Sequence, residues 1–181
     1  MITYCDYCKS HPEDMFNGKY HDTEYGFPIE DDNLLFERLI LEINQAGLSW
    51  ITILKKADSF RKAYRGFDVR KVAKFSEKDR TRLLADAGII RNRLKVNAAI
   101  VNAQKILQLQ KEFGSFKSWL DAHQPLKKEE WVKLFKKTFV FTGGEIVNEF
   151  LMSTGYLPGA HAEDCPTYKK VVSLRPAWMR K

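Results

Sequence analysis

Four residues of the kind that hold zinc lie in two pairs far apart in the chain. Cys5 and His21 form one pair; His161 and Cys165, within HAEDC, form the other. Two thiolates and two imidazoles fill a tetrahedron and leave no position for water, so such a set builds a structural rather than a catalytic site. It would clip the N-terminal segment to the C-terminal one, neither of which has much periodic apolar content to dock itself. The competing reading is plain: a cysteine is often a small buried hydrophobe, and His21 needs no metal. Cys8 opens a third reading, because Cys5 and Cys8 form C-x2-C and supply a different ligand pair. Spacing alone leaves these alternatives open. His11 and His123 each have a proline within two residues and read as structural or exposed.

The second candidate is a single carboxylate. In LEINQAGLSW, residues 41–50, Glu42 sits among Leu41, Ile43, Ala46, Leu48 and Trp50. A carboxylate among apolar neighbours is costly unless something meets it. Either Glu42 turns to solvent, or it is kept for a ligand. Trp50 has two readings as well: a core residue at helical spacing, or a platform on which a base stacks.

The third candidate is a charge distribution. The 181 residues carry a formal net charge of +7, spread unevenly: −7 over residues 1–54, +9 over 55–95 and +5 over the remainder. A solvated helix face explains part of this; a phosphate-binding surface explains the concentration better. Inside the basic segment, DAGIIRNRLK reads as helix, tight turn at Gly88, helix. Such a turn presents backbone N–H groups at a helix N-terminus, where a phosphate binds well. Arg91, Arg93 and Lys95 stand beside it.

These residues need elements to position them, and the pattern is helical throughout. Apolar residues recur at helical spacing, with no convincing alternation of period two. Asp31 or Asp32 caps a helix through NLLFERLILEINQA that stops at Gly47, and LSWITILKK follows as a second. Asp68 caps VRKVAKF, and Ser76 with Asp79 makes a capping-box variant before EKDRTRLLADA. A long helix runs from Arg91 to Gly114. SFKSWLDAH, KEEWVKLFKK and EIVNEFLMST complete an all-α set, and the tail after Pro166 reads as irregular and basic. With 44% hydrophobic residues a real core is available, and the length suits a single domain spanning 1–181. No repeat or low-complexity tract is visible. No apolar run reaches the roughly 18 residues of a membrane span. The start lacks a secretory h-region, so a cytoplasmic location is the default expectation. Three cysteines without a signal argue against a disulfide framework.

Several stretches converge on one family. YHDTEYG (20–26), LFERLILEINQAGLSWITILKK (35–56), FDVRKVA (67–73), DAGIIRNRLKVNAAIVNA (86–103), HQP (123–125) and HAEDC (161–165) closely resemble the DNA-3-methyladenine glycosylase I (Tag) family. The match runs in order from Cys5 to Cys165, and QAGLSW, YHD and the late HxxxC are specific. The resemblance implies a helix–hairpin–helix DNA glycosylase fold with a clip, residues 1–25 and 156–168, binding one structural Zn2+ per chain through Cys5, His21, His161 and Cys165, followed by a basic tail, 169–181. It places Tyr20, Glu42 and Trp50 in the base pocket, with Glu and Tyr bonding the base and Trp stacking on it. Tyr7 is the expected aromatic from the N-terminal segment. It implies DNA contacts at Gly88, Arg91, Arg93 and Lys95, and double-stranded DNA with alkylated bases as the partner of a monomer, with no membrane involved.

The sequence departs from that pattern in places. Ile43 stands where the family often has Gly. Tyr25 replaces a Trp of YHDxEWG. GGEIVNEF replaces GxTxxxSF and adds Glu145 and Glu149, and the segment before FKKTFVF is shorter. If Ile43 or Glu145 faces the pocket, the base preference shifts. The expected chemistry is excision of 3-methyladenine with Glu42 as discriminating carboxylate, acting on the base, the attacking water or both. Asn92 aligns where lyase-type relatives carry a nucleophilic lysine, so no strand cleavage is expected. The alternatives are a non-catalytic, zinc-stabilised module that binds damaged DNA, and a glycosylase of the same class with another base preference.

Overall fold

The computed structural model describes residues 2–180, and every regular element among them is a helix. In chain order these are α1 (Tyr4–Ser10), α2 (Met15–Thr23), α3 (Asp32–Gln45), α4 (Trp50–Ala63), α5 (Val69–Val72), α6 (Glu77–Ala85), α7 (Arg93–Phe113), α8 (Phe116–His123), α9 (Lys128–Thr138), α10 (Gly144–Ser153) and α11 (Pro166–Ser173).

The central element is α3. Leu35 to Asn44 are all buried, including Glu37, Arg38 and Glu42. A helix buried all round lies inside the fold rather than on its surface. Its neighbours are α4, α7, α8 and α10. Its two candidate caps divide the work. Asp31 caps α3, its side chain accepting from the Leu34 N–H at 2.9 Å. Asp32 reaches the start of α8 instead and accepts from the Phe116 and Lys117 N–H groups at 2.8 and 3.0 Å. One aspartate thus starts a helix and the next docks another against it. Phe36, Phe60, Tyr64 and Phe67 form one part of the core and Phe116, Trp131, Phe135 and Phe150 another.

The sequence expectations need three corrections here. The long helix starts at Arg93, because Asn92 is its N-cap and accepts from the Leu94 and Lys95 N–H groups. The first 25 residues hold two helices. Neither is long enough to show clear periodicity, but Thr3 with Asp6 and then Asp14 cap them locally. The tail is not irregular: Pro166 opens α11 at a position where its missing N–H costs nothing. Val171 and Ala177 are buried and Trp178 donates to the Gly155 carbonyl.

Candidate active site

A cavity of about 280 Å³ has Glu42 and Gln45 of α3 and Trp50 of α4 in its wall, with Tyr4, Tyr20, Tyr25 and Glu149. Glu42, Tyr20 and Trp50, proposed as a set from sequence, therefore meet at one place. Arg38 lies one helical turn before Glu42, so both point the same way. Its Nη1 donates to the Tyr20 hydroxyl at 2.7 Å, its guanidinium lies 4.8 Å from the Tyr20 ring centre, and Nη2 reaches Glu24 at 3.2 Å. A hydroxyl that accepts from arginine keeps its own proton free to donate. Arg38 escaped the sequence reading, although its i,i+4 spacing to Glu42 was there to be seen.

Glu42 is 4% exposed. Among the described residues no protein donor lies within hydrogen-bond distance of its carboxylate. Burial raises its pKa to about 8; Arg38 opposes the rise and Glu149 adds to it. Such a carboxyl is poised to give up its proton to solvent when a cation arrives beside it. Trp50 is half-buried, its ring 5.1 Å from that of Tyr20, and its indole N–H is buried without a partner.

Several expected residues lie elsewhere. Tyr7 does not line the cavity: its hydroxyl donates to Asp14, the N-cap of α2, at 3.0 Å, and its ring stacks on His11. Tyr4, three residues earlier, supplies the aromatic wall and donates to Asn17 Oδ1 at 2.8 Å. Ile43 is fully buried in the core and does not line the cavity, and Glu145 is exposed, 4.0 Å from Lys128. The two remaining departures meet instead: the Tyr25 hydroxyl donates to Glu149 Oε2 at 3.3 Å inside the cavity wall.

Behind that wall, Cys5, His21, His161 and Cys165 bring their ligand atoms within 4.8 Å of one another. His21 Nε2 is 3.3 Å from Cys5 Sγ, 3.2 Å from His161 Nδ1 and 3.7 Å from Cys165 Sγ. A tetrahedral zinc with bonds of about 2.0–2.3 Å has ligand–ligand edges of roughly 3.3–3.8 Å; the donor chemistry and the distances from His21 fit that ion, and the wider separations, 4.0 Å for His161 to Cys165 and up to 4.8 Å in the set, would close by a few tenths of an ångström to about 1 Å around it. Both imidazoles are oriented from outside. His21 Nδ1 meets Asp22 Oδ1 at 2.7 Å, and His161 Nε2 donates to the Tyr25 carbonyl at 2.7 Å, leaving the inward nitrogens as lone pairs. Asp22 is itself held by the Thr167 hydroxyl, and the Ala162 N–H points at Cys5 Sγ. Cys8 lies outside the cluster. His161 and Cys165 converge through a turn, not a helix, since α11 begins at Pro166. Gly26 makes room: it has φ +80°, and a Cβ there would come within 2.8 Å of Ala160 and 3.3 Å of the His161 ring.

In the basic segment, α6 and α7 pack together and residues 86–92 join them. Gly88 lets that turn approach α4, because a Cβ would sit 3.0 Å from the Ser59 Cβ; the Gly88 N–H is taken by Asp86 Oδ1 at 2.7 Å. Arg91 and Arg93 are exposed. Lys95 contradicts its expected phosphate contact. It is buried, and its Nζ donates to the carbonyls of Asn44 and Ala46 at 2.9 and 2.7 Å, satisfying the C-terminus of α3.

Comparison with known proteins gives the family and the fold. Residues 9–168 match the model of the methyladenine glycosylase family. The chain is 37% identical over 166 residues to a DNA-3-methyladenine glycosylase of Haemophilus influenzae, covering 81% of this chain and 89% of that protein. It is 38% identical over 168 residues to DNA-3-methyladenine glycosylase 1 of Escherichia coli, covering 82% and 89%. Among solved structures it is similar to 3-methyladenine DNA glycosylase I from Staphylococcus aureus, with a TM-score of 0.81 and 31% identity over 91% of this chain and 97% of that one. A variant of 3-methyladenine DNA glycosylase I in complex with 3-methyladenine superimposes with a TM-score of 0.79 at 31% identity, covering 88% and 96%.

Proposed function

The chain belongs to the methyladenine glycosylase family, and on that premise we propose that it removes 3-methyladenine from alkylated double-stranded DNA by hydrolysing the N-glycosidic bond. A base inside a duplex is out of reach, so the nucleotide must first rotate into the cavity. Alkylation at N3 makes adenine a cation, and its bond to C1′ is weakened before the protein acts. Stacking between Trp50 and the base holds it, worth about 1–3 kcal/mol for a base on an aromatic ring. Tyr20, its oxygen already accepting from Arg38, donates to the base, and Glu42 accepts from the exocyclic amino group. As the C1′–N bond breaks, the electron pair leaves with the base, water adds at C1′ and its proton passes to a carboxylate or to solvent.

The observation that carries this reading is the Glu42 carboxyl: buried, without a protein donor and open to an aromatic cavity. Such a group is unfavourable in the empty protein and complementary to a cationic base. The test is chromatography of bases released from methylated DNA. Wild type releases 3-methyladenine and little 7-methylguanine, and Glu42→Gln releases less. Failure of the folded protein to release any alkylated base would overturn the reading in favour of a non-catalytic binding module.

The same reading covers the rest of the molecule. Cys5, His21, His161 and Cys165 hold one structural zinc, which supplies no chemistry and ties the two ends of the chain together. The helix–turn–helix at 77–113 is a hairpin that meets phosphates through its turn and through Arg91 and Arg93. Excision stops at the abasic site. No lysine lines the cavity among the described residues, and Lys95 is committed to α3. A borohydride-trapped protein–DNA adduct would contradict this.

A further inference from the structure

The cavity carries a second carboxylate that the reaction above leaves without a part. Glu149 enters from α10, which packs on α3 and so brings it into the same wall as Glu42. The Tyr25 hydroxyl holds one of its oxygens at 3.3 Å, and Tyr25 is fixed in turn through its carbonyl by His161. A carboxylate offers about four acceptor positions, and the Tyr25 hydroxyl takes one, so others are left for a ligand.

Charge sharpens the point. Arg38 is the cation that acts on Glu42, and it is shared with Tyr20 and Glu24. Around Glu149 itself, Glu145 on the same helix and Lys128 on α9 act in opposite directions. The cavity therefore holds an excess of negative charge whenever both acids ionise. Burial raises the pKa of both, and Glu149 raises that of Glu42 further. A cationic base relieves this arrangement, and a neutral base of the same shape does not.

We propose that Glu149 is a specificity-determining residue: it accepts an N–H of the flipped base alongside Glu42, so that two carboxylates select a cationic purine over its neutral counterpart. The amino group of adenine has two hydrogens, and the two carboxylates take one each. The proposal rests on the assignment of the cavity to the flipped base.

The experiment compares binding of the permanent cation 3,9-dimethyladenine with binding of neutral 9-methyladenine, by calorimetry on the full chain. Wild type prefers the cation. Glu149→Gln keeps the shape and the Tyr25 partner but removes the charge, and the preference falls about tenfold, the scale of one weakened charge–charge contact. Glu149→Asp, which keeps the charge, retains most of the preference. Tyr25→Phe, which frees Glu149 from its support, lowers it by a smaller factor. An unchanged preference in Glu149→Gln, with a reduced one in Glu42→Gln, would overturn the proposal and leave the base pocket standing. A wild type without any preference would overturn both.

Discussion

His161 and Tyr25 are joined across the boundary between the candidate metal cluster and the base cavity. The His161 ring donates to the Tyr25 carbonyl at 2.7 Å and stands 5.7 Å from the Tyr25 ring. Tyr4 makes a parallel connection, its ring 5.6 Å from His21 and 5.4 Å from Tyr25. Tyr20 is the residue before His21. Three aromatic walls of the cavity are thus set by the residues that hold, or adjoin, the proposed zinc.

Removal of the metal should therefore disturb base binding as well as stability. Without it, four donors face one another in a largely buried site, and each imidazole is held only from its outer nitrogen, by Asp22 and by the Tyr25 carbonyl. Metal analysis is expected to find one zinc per chain. Chelation, or Cys5→Ser, should lower Tm by several degrees and weaken binding of 3,9-dimethyladenine. A metal-free protein with unchanged Tm and unchanged binding would remove the zinc from the account.

Glu42→Gln should stabilise the protein while impairing it. The folded pKa of Glu42, about 8, lies above its ordinary value of 4.5. Below about pH 4.5 the group is protonated in both states and has no effect. Between there and pH 8 the unfolded chain ionises first, so stability is lost as pH rises; above 8 the loss is complete. Glutamine does not titrate. The gain in unfolding free energy over wild type should grow from pH 5 to pH 8 and then level off, reaching at most a few kcal/mol, with Tm rising in parallel. A gain that is flat across this range would mean that Glu42 is ionised and compensated in the folded protein.

The same pKa makes binding of a cationic base release protons. In the empty site Glu42 is mostly protonated at pH 7, with Glu149 shifted in the same direction. A cation favours the ionised form. Titrations with 3,9-dimethyladenine in buffers of different ionisation enthalpy should show release of on the order of one proton at pH 7, falling towards zero at pH 9. Proton uptake would contradict the assignment of Glu42 as the group that meets the cation.

Much of this was legible in the sequence, for reasons that differ by region. The helices of residues 31–153 follow from caps and apolar spacing, and local signals suffice there. The candidate metal set was readable as residue types, but excluding Cys8 required the fold, because C-x2-C on a seven-residue helix looks as competent as the four residues that converge. Tyr7 and Tyr4 are nearly a turn apart, and it is the hydrogen bond from the Tyr7 hydroxyl to the Asp14 carboxylate that turns Tyr7 away and leaves Tyr4 to face the cavity. Glu149 was visible as a departure, yet its neighbour Glu145 looked equal to it. One turn apart, the two lie on the same side of the helix, and only the way α10 lies along α3 decides which of them reaches the cavity. Lys95 was misread because a lysine beside two arginines resembles a charge patch, while its partners lie some fifty residues earlier in the chain.

Lys95 and the two arginines should behave in opposite ways. The Lys95 ammonium satisfies the carbonyls of Asn44 and Ala46 just before the Trp50 helix begins, so it fixes the C-terminus of α3 near Gln45 and Trp50. Lys95→Met leaves those carbonyls without their charged donor. It should cost about 1–3 kcal/mol and leave the salt dependence of DNA binding unchanged. Arg91→Ala and Arg93→Ala, both at exposed positions, should leave Tm nearly unchanged and each reduce the slope of log K against log salt by about 1. Because phosphate contacts carry no sequence information, the loss of affinity should be equal for methylated and unmethylated duplexes. If Lys95→Met lowered the salt slope as the arginine variants do, its Nζ would have to leave α3 in the complex, and the end of α3 would then move when DNA binds.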